Sequence, residues 1–271
     1  MADPVLTARR LNRALLARQH LLDRSPLGLT EVTEQMGGIQ TQYAPAGYIG
    51  LWSRMRDFTR PMLTQALEER RVVQATLMRA TIHIVSAADY WPMEIGVRRI
   101  RADWFERVGR REIEKFDTTA LAAAVREVLA DGPLRMKELT ERLAARGFPA
   151  TAARWAGTWV DLVRVPPSGT WEMRRADLYG LADAWVPPTA ATEEAGMELL
   201  IRRYLGAFGP GSLKDIASWM GMNPGQIRHV ADGMQLQLFR DDDGRTLLDL
   251  PGAPLPDPET PAPPRFLAVW D

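Results

Sequence analysis

The sequence has no cysteine and only three histidines among its 271 residues. Without cysteine the chain has no disulfide framework, no thiolate zinc site and no cysteine nucleophile. His20, His83 and His229 stand far apart and do not have the spacing of metal ligands. No Gly-rich phosphate loop and no Ser/His/Asp pattern is evident. We therefore expect a protein that works without a metal ion or cofactor.

Long apolar runs are missing as well. No stretch approaches the roughly 20 apolar residues that a membrane-spanning helix needs, and the N-terminal segment lacks the apolar core of a signal peptide. Hydrophobic residues make up 46% and charged residues 25% of the chain, which are ordinary globular values. The length suits two or three small domains. We expect a monomeric, cytoplasmic protein that has no contact with a membrane.

Lysine is scarce, because Lys115, Lys137 and Lys214 are the only three and arginine supplies the other 31 of the 34 basic residues. The net charge is zero, but residues 1–111 contain seventeen arginines and eleven acidic residues, which leaves this part at +6. A genome rich in arginine codons would raise the arginine content everywhere, so only the clustering is informative. The planar guanidinium group suits phosphate contacts. The clustering therefore favours DNA binding by the N-terminal part.

Hydrophobic periodicity predicts three helices in the first part of the chain, at residues 7–24, 31–36 and 60–69. A run rich in β-branched residues follows, from Val72 to Val85. In this run Arg79, Thr81 and His83 alternate with apolar residues, which is the period-two pattern of a half-exposed strand. Three short helices followed by strands is the order of a winged helix.

The same order is predicted twice more along the chain. The second copy has helices at 118–130, 136–146 and 150–163 and strands around the turn at 166–169. The third copy has helices at 193–208, 212–220 and 224–232 and a hairpin around 241–244. We predict a mainly α fold with small β wings (α+β), in which tandem winged-helix repeats form a concave DNA-binding surface. The predicted divisions are 1–111, 112–187 and 188–250, then a proline-rich linker and the start of a truncated C-terminal β domain at 251–271, with a strand at Arg265–Trp270.

One loop carries a distinctive pair of side chains. Residues 37–45 have the sequence GGIQTQYAP, which places Gln40 and Gln42 at alternate positions after a predicted helix. Their amides could point the same way, and each amide offers both a donor and an acceptor for a water molecule or a base edge. The alternative is that two polar loop residues simply close backbone hydrogen bonds.

Three segments together resemble the AlkZ and YcaQ family of bacterial DNA glycosylases: GIQTQYAP at 38–45, GLWSR at 50–54 and RATIHIV at 79–85. The resemblance covers essentially the whole chain. It implies tandem winged helices that form a basic concave surface on duplex DNA, and removal of alkylated purines, including those in interstrand crosslinks. The AlkZ-like branch has two glutamines separated by one residue, as here, whereas the YcaQ-like branch has aspartate in the second place. The departures are Thr41, where the family usually has an apolar residue, and the β-rich C-terminal domain with which relatives continue.

The resemblance implies a monofunctional DNA glycosylase in which Gln40 and Gln42 position the hydrolytic water. A purine alkylated at N7 is cationic and leaves without a general acid, so amides that orient water against C1′ are sufficient. The expected partner is duplex DNA containing alkylated purines, bound mainly through its phosphates. The residues expected to contact this DNA are Arg9, Arg10, Arg13, Arg54, Arg79, Thr81, His83 and Arg154.

Two other functions fit the sequence, a non-catalytic winged-helix regulator and a degenerate family member that only binds lesions. A regulator needs base-reading side chains on its recognition helix, and the helix at 150–163 supplies only Arg154 and the neighbouring Arg164. This composition favours contact with the DNA backbone. For His83, a buried role inside the wing fits the pattern as well as a phosphate contact does.

Overall fold

The computed structural model describes residues 3–268, and its fold is α+β with helices predominating, as predicted. The first part of the chain contains β1 (Val5–Leu6), α1 (Ala8–Arg18), α2 (Leu29–Gln35), β2 (Ile39–Gln40), α3 (Ala44–Arg54), α4 (Arg60–Glu68), β3 (Val72–Thr76), β4 (Ile82–Ser86) and α5 (Ala87–Ile113). The second part contains α6 (Thr118–Leu129), β5 (Leu134–Arg135), α7 (Met136–Ala144), α8 (Ala152–Trp155), β6 (Leu162–Arg164), β7 (Leu178–Leu181) and α9 (Ala182–Trp185). The third part contains α10 (Glu193–Phe208), α11 (Leu213–Met220), α12 (Pro224–Gly233), β8 (Gln237–Asp241) and β9 (Thr246–Asp249).

One order of elements occurs three times: a helix, a short strand, two helices and a β-hairpin. The first repeat is α2-β2-α3-α4-β3-β4 and the second is α6-β5-α7-α8-β6-β7. In the third repeat α10 leads to Gly211, which forms a single β-bridge with Leu248, and then to α11, α12 and the hairpin of β8 and β9. This order is consistent with tandem winged helices.

The first two repeats share one six-stranded sheet with the strand order β2-β4-β3-β6-β7-β5. Antiparallel pairing of β3 with β6, which places Gln74 opposite Arg164, joins the two hairpins edge to edge. The short strands β2 and β5 lie at the two ends of the sheet, each beside the second strand of its own hairpin. The third hairpin instead accepts β1 and forms a separate three-stranded sheet. The first two repeats are therefore held together by backbone hydrogen bonds.

The helix α5 connects the first repeat to the rest of the molecule. It runs for 27 residues, so the domain limit predicted at residue 111 falls inside this helix. Its backbone approaches α10 closely, since a Cβ atom added to Gly96 would lie 2.8 Å from the carbonyl carbon of Gly196. The largest buried cluster lies here, formed by apolar side chains of the β3–β4 hairpin, α5, the third repeat, and the β6 and α9 regions of the second part.

Three expectations for the first part of the chain are corrected. The helix α3 was not predicted, because Pro45, Gly47 and Gly50 suggest a loop and the helix is buried on nearly every side, which hides its period. The helix α1 precedes the repeat instead of beginning it. The run from Val72 to Val85 is a hairpin, because Arg79 and Ala80 both have a φ of +54° and turn the chain between β3 and β4. We call residues 77–81 the hairpin tip.

The C-terminal segment does not form the predicted strand within the described residues. Residues 265–268 are irregular, and Val269 and Trp270 lie outside the described part. The segment passes over α1 and α3 instead: Arg13 donates to the carbonyl oxygen of Thr260, and the ring of Phe266 lies 6.0 Å from that of Trp52. No helix within residues 3–268 combines the length and the apolar character that crossing a membrane requires.

Candidate active site

Two glycines place the glutamine segment against the hairpin of its own repeat. Gly37 and Gly38 have φ values of +71° and +84°, which end α2 in the left-handed region. A Cβ atom on Gly38 would lie 2.9 Å from Cγ1 of Val85, so only glycine lets the backbone come this close to β4. The strand β2 then pairs with β4 and places Gln40 directly opposite His83.

The amides of Gln40 and Gln42 are both held by the residues at the end of the hairpin. Oε1 of Gln40 accepts a hydrogen bond from Nη2 of Arg79 at 3.1 Å, and Oε1 of Gln42 accepts one from the backbone N–H of Ile82 at 3.2 Å. A guanidinium and a backbone N–H only donate, so these partners fix which amide atom is the oxygen. Among residues 3–268, neither Nε2 group has a protein acceptor. Both Nε2 groups remain as donors for a bound molecule.

Thr41 anchors the segment between the two glutamines. Its side chain is fully buried, and its hydroxyl oxygen accepts a hydrogen bond from Nε2 of the buried Gln74 at 3.0 Å. Its backbone N–H donates to the carbonyl oxygen of Ile82 at 2.7 Å. Alternation along an extended segment therefore directs Thr41 into the core and leaves its two neighbours on the other face.

The two glutamines line separate cavities on either side of the hairpin tip. The Gln40 cavity, of about 210 Å³, is also lined by Arg79, His83 and Trp219. The Gln42 cavity, of about 230 Å³, contains Ala80 of the tip and Arg154 of α8. A third and larger cavity, of about 510 Å³, lies between the tip, α5 and the start of α12. Arg79 extends from the tip to the third repeat, where its Nη1 donates to the carbonyl oxygen of Trp219 at 2.7 Å.

His83 lies inside the protein rather than on its surface. The residue is 2% exposed, and its Nδ1 donates to the carbonyl oxygen of Thr81 at 3.0 Å. Burial lowers the pKa of His83 to about 4, so the imidazole is neutral at neutral pH. The hydroxyl of Thr81 donates to the carbonyl oxygen of Met78 and stabilises the tip. The expected phosphate contact of His83 is therefore corrected to a buried position beside Gln40, while that of Thr81 stays a prediction.

The DNA contact expected for Arg54 does not fit its position in the structure. It is 1% exposed and donates to the carbonyl oxygen of Gly50 and to Oε1 of Gln19. A buried guanidinium with these partners is not accessible to a phosphate. The pattern GLWSR does not indicate the burial of Arg54, because arginine side chains are usually exposed.

The predicted DNA-contacting residues fall into two groups. Arg79 and Arg154 lie with the glutamines, and Arg154 is exposed. Arg9, Arg10 and Arg13 lie on α1, away from both glutamine cavities. Arg9 donates to the carbonyl oxygen of Pro258 at 2.9 Å and pairs with the carboxylate of Glu259 at the same distance. Arg9 and Arg13 thus contact the C-terminal segment, which argues against their use in DNA binding, while the expected DNA contact of Arg10 stays a prediction.

A buried ion-pair network beneath the Gln42 cavity was not predicted. Arg101 pairs with Glu94 and donates to the carbonyl oxygen of Thr76, the last residue of β3. Arg98 donates to Asp161 at 2.8 Å. Burial, the charge of Glu94 and a hydrogen bond with Glu94 raise the pKa of Asp161 to about 7. The signal in the sequence was the spacing of residues 94, 98 and 101, which lie on one helical face, but it becomes visible only once α5 is recognised.

No group of three or more potential metal-ligating side chains (His, Cys, Asp or Glu) occurs in the part of the chain that the structure describes. The Gln40 cavity has no carboxylate among its described lining residues. The chemistry at hand near the glutamines is therefore that of amides, a neutral imidazole and arginine.

Comparison with known proteins identifies the family of this chain. The model of the family described as DNA glycosylase AlkZ-like matches residues 33–271. Among solved structures, DNA glycosylase AlkZ of Streptomyces sahachiroi has the same fold, with a TM-score of 0.77 at 17% sequence identity over 91% of this chain and 70% of that chain. No curated protein matches the sequence. Because the family model covers the glutamine segment and all that follows it, the chain belongs to the AlkZ-like family of DNA glycosylases.

Proposed function

We propose that this protein hydrolyses the N-glycosidic bond of N7-alkylated purines in duplex DNA. The observation that carries the proposal is the pair of amides at 40 and 42, each held through its oxygen by the end of the β3–β4 hairpin. Interstrand crosslinks formed through N7 present the same glycosidic bond and belong to the same substrate class. The three repeats would contact one duplex as tandem winged helices.

The site suits a leaving group that is already positively charged. An N7-alkylpurine needs no general acid, and the described lining of the Gln40 cavity offers no carboxylate to act as one. Each amide oxygen has a second lone pair that can accept a hydrogen bond from a water molecule, while each Nε2 can donate a hydrogen bond to an oxygen of the DNA. Holding a water against C1′ contributes through proximity and through dipoles that stabilise the oxocarbenium-like sugar.

The test is release of the damaged base from a defined oligonucleotide. A duplex containing one N7-methylguanine should lose this base in the presence of the purified protein, and a matched duplex with a neutral damaged base should remain intact. Chromatographic detection of the free base separates enzymatic release from strand breakage. If neither duplex loses its base while both are bound, the chain is a non-catalytic lesion-binding or regulatory member of its family.

A further inference from the structure

The Gln42 cavity contains more hydrogen-bond donors than the proposed reaction uses. Side chains of both the first and the second repeat line it. Besides Gln42, six lining side chains can donate, and Arg101 among them is engaged by Glu94 and the carbonyl oxygen of Thr76. Three others are Arg154 from α8, Thr158 from the turn after α8, and Arg164 from β6. The remaining two are the hydroxyls of Thr76 and Tyr179. A ligand rich in acceptor oxygens would match this lining.

Two buried donors of this lining each have one polar atom without a partner. Thr158 and Arg164 are 7% and 9% exposed. Within residues 3–268, neither Oγ1 of Thr158 nor Nε of Arg164 has a hydrogen-bond partner. Buried polar groups are nearly always satisfied, and leaving them unsatisfied destabilises the fold. A bound acceptor in this cavity would satisfy both atoms.

The positive charge of Arg164 is also uncompensated. Its Nη1 donates to the hydroxyl of Thr76 at 3.0 Å, and its guanidinium lies 5.2 Å from the ring centre of Tyr179. No carboxylate of the described chain lies within salt-bridge distance of it. Burial lowers the pKa of Arg164, which is the effect expected of a desolvated cation without an anion beside it. An anion bound nearby would offset this cost.

The single acidic residue in the described lining does not compete for these donors. Glu94 is buried and already accepts both guanidinium nitrogens of Arg101. Arg154 adds a further charge at the exposed side of the cavity, where its nearest carboxylate, that of Glu112, is 3.8 Å away. Of the three cations in the lining, Arg101 is thus paired with Glu94, Arg154 has only a long ion pair, and Arg164 has no carboxylate partner among the described residues.

We propose that the Gln42 cavity binds one backbone phosphate of the DNA strand, with Arg154, Thr158 and Arg164 as its donors. The inference rests on the proposed function, which requires duplex DNA to contact Gln40 and Gln42. A phosphodiester offers several acceptor oxygens and one negative charge, as the donors require. The cavity of about 230 Å³ is smaller than the roughly 300–1,000 Å³ of pockets for drug-sized ligands, so it suits a phosphate with adjoining sugar atoms better than a bulky base adduct.

The experiment uses a short duplex with one stable abasic-site analogue, which sets the binding register, replaces its phosphates one at a time with neutral methylphosphonates, and measures binding by fluorescence anisotropy. One position should weaken binding by the parent protein roughly tenfold, since it removes a charge-assisted hydrogen bond. Arg154→Gln and Thr158→Val should each bind the duplex with all its phosphates more weakly and be much less sensitive to that one substitution. The matched control is Arg126→Gln. Arg126 is an exposed arginine of α6 that pairs with Asp183, and this variant should keep the sensitivity of the parent.

Because the abasic analogue has no base to release, this result does not depend on whether the protein excises bases. Arg164→Gln disturbs a buried side chain and can fail to fold, so the exposed Arg154 and the small change at Thr158 decide the matter. Equal sensitivity of the parent and both variants at every position overturns the proposal. Thermal stabilisation by inorganic phosphate that is lost in Thr158→Val, without any such coupling to a DNA position, also overturns it by assigning the cavity to a free anion.

Discussion

The first and second repeats have the same order of elements but differ between their first strand and their second helix. In the second repeat α7 begins at the residue after β5, whereas in the first repeat Thr41, Gln42 and Tyr43 lie between β2 and α3. These three residues include one of the two candidate glutamines and its buried anchor. A common scaffold with a short added segment is therefore enough to distinguish the repeat that carries the candidate glutamines.

The start of the following helix shows the same contrast. Arg135 ends β5 and caps α7, and its backbone N–H donates to the carboxylate of Glu138 at 2.9 Å. Tyr43 caps α3 without a capping hydrogen bond from its side chain, is 46% exposed, and accepts a hydrogen bond from Arg174 at its hydroxyl. In the second repeat this junction is used to begin a helix. In the first it is used to present side chains.

The largest expected effect comes from removing either glutamine. Gln40→Ala or Gln42→Ala should slow excision of N7-methylguanine by about a hundredfold or more, because a lost preorganised hydrogen bond costs about 2–4 kcal/mol in the barrier. Affinity for the duplex should stay nearly unchanged. Single-turnover excision and anisotropy measure the two quantities. Gln65→Ala, an exposed glutamine on α4, is the matched control, and alanine variants as fast as this control would reduce both residues to ordinary loop positions.

The anchor between the glutamines should matter for stability. Thr41→Val keeps the shape but leaves Nε2 of the buried Gln74 without its acceptor, which should lower the free energy of unfolding by about 1–3 kcal/mol. Urea denaturation measures this change. The double variant Thr41→Val with Gln74→Leu should recover part of the loss, since both polar partners are then gone. Equal stability of Thr41→Val and the parent would contradict the assigned anchor.

The glutamine pair was recognised in the sequence because its segment and two others resemble one family, and its pattern is local: a double glycine, two alternate amides and a proline. Its surroundings could not. The φ values of +54° at Arg79 and Ala80 change the phase of the alternation, so a pattern that predicts an exposed His83 meets a buried one. Arg54 and the Glu94–Arg101 pair depend on contacts between elements far apart in sequence. Their burial follows from packing, and periodicity within one segment does not report it.

Arg79 should connect the glutamine segment to the third repeat. Arg79→Lys keeps the charge but lacks the planar fork that reaches both Gln40 and the carbonyl oxygen of Trp219. We expect roughly a tenfold slower excision, as for one lost charge-assisted hydrogen bond, with duplex affinity nearly retained. Arg79→Leu should also weaken binding. Excision by Arg79→Lys at the parent rate would show that the bond to Gln40 does not orient its amide.

Asp161 beneath the Gln42 cavity predicts a pH dependence of stability. Its pKa is about 7 in the folded protein, raised by burial and Glu94, and 3.8 when unperturbed. Between these values only the folded state holds the proton, so its contribution to the free energy of unfolding falls as the pH rises, by up to about 1.4 kcal/mol per pH unit. His83, with a pKa of about 4, acts in the opposite direction below about pH 6.5. The stability difference between the parent and Asp161→Asn isolates Asp161, and a difference independent of pH would contradict the shifted pKa.

The smallest effect is expected for the arginines of α1, which lies outside the two repeats compared above. Arg9 and Arg13 contact residues 258–260, so their charges are partly engaged and they lie away from the glutamine segment. The double variant Arg9→Gln with Arg13→Gln should change duplex affinity by less than about threefold and leave the salt slope nearly unchanged, whereas loss of one true phosphate contact lowers that slope by about 0.9. Anisotropy titrations at several salt concentrations measure both. A slope lower by about 1.8 would return α1 to the DNA interface and extend that interface well beyond the first two repeats.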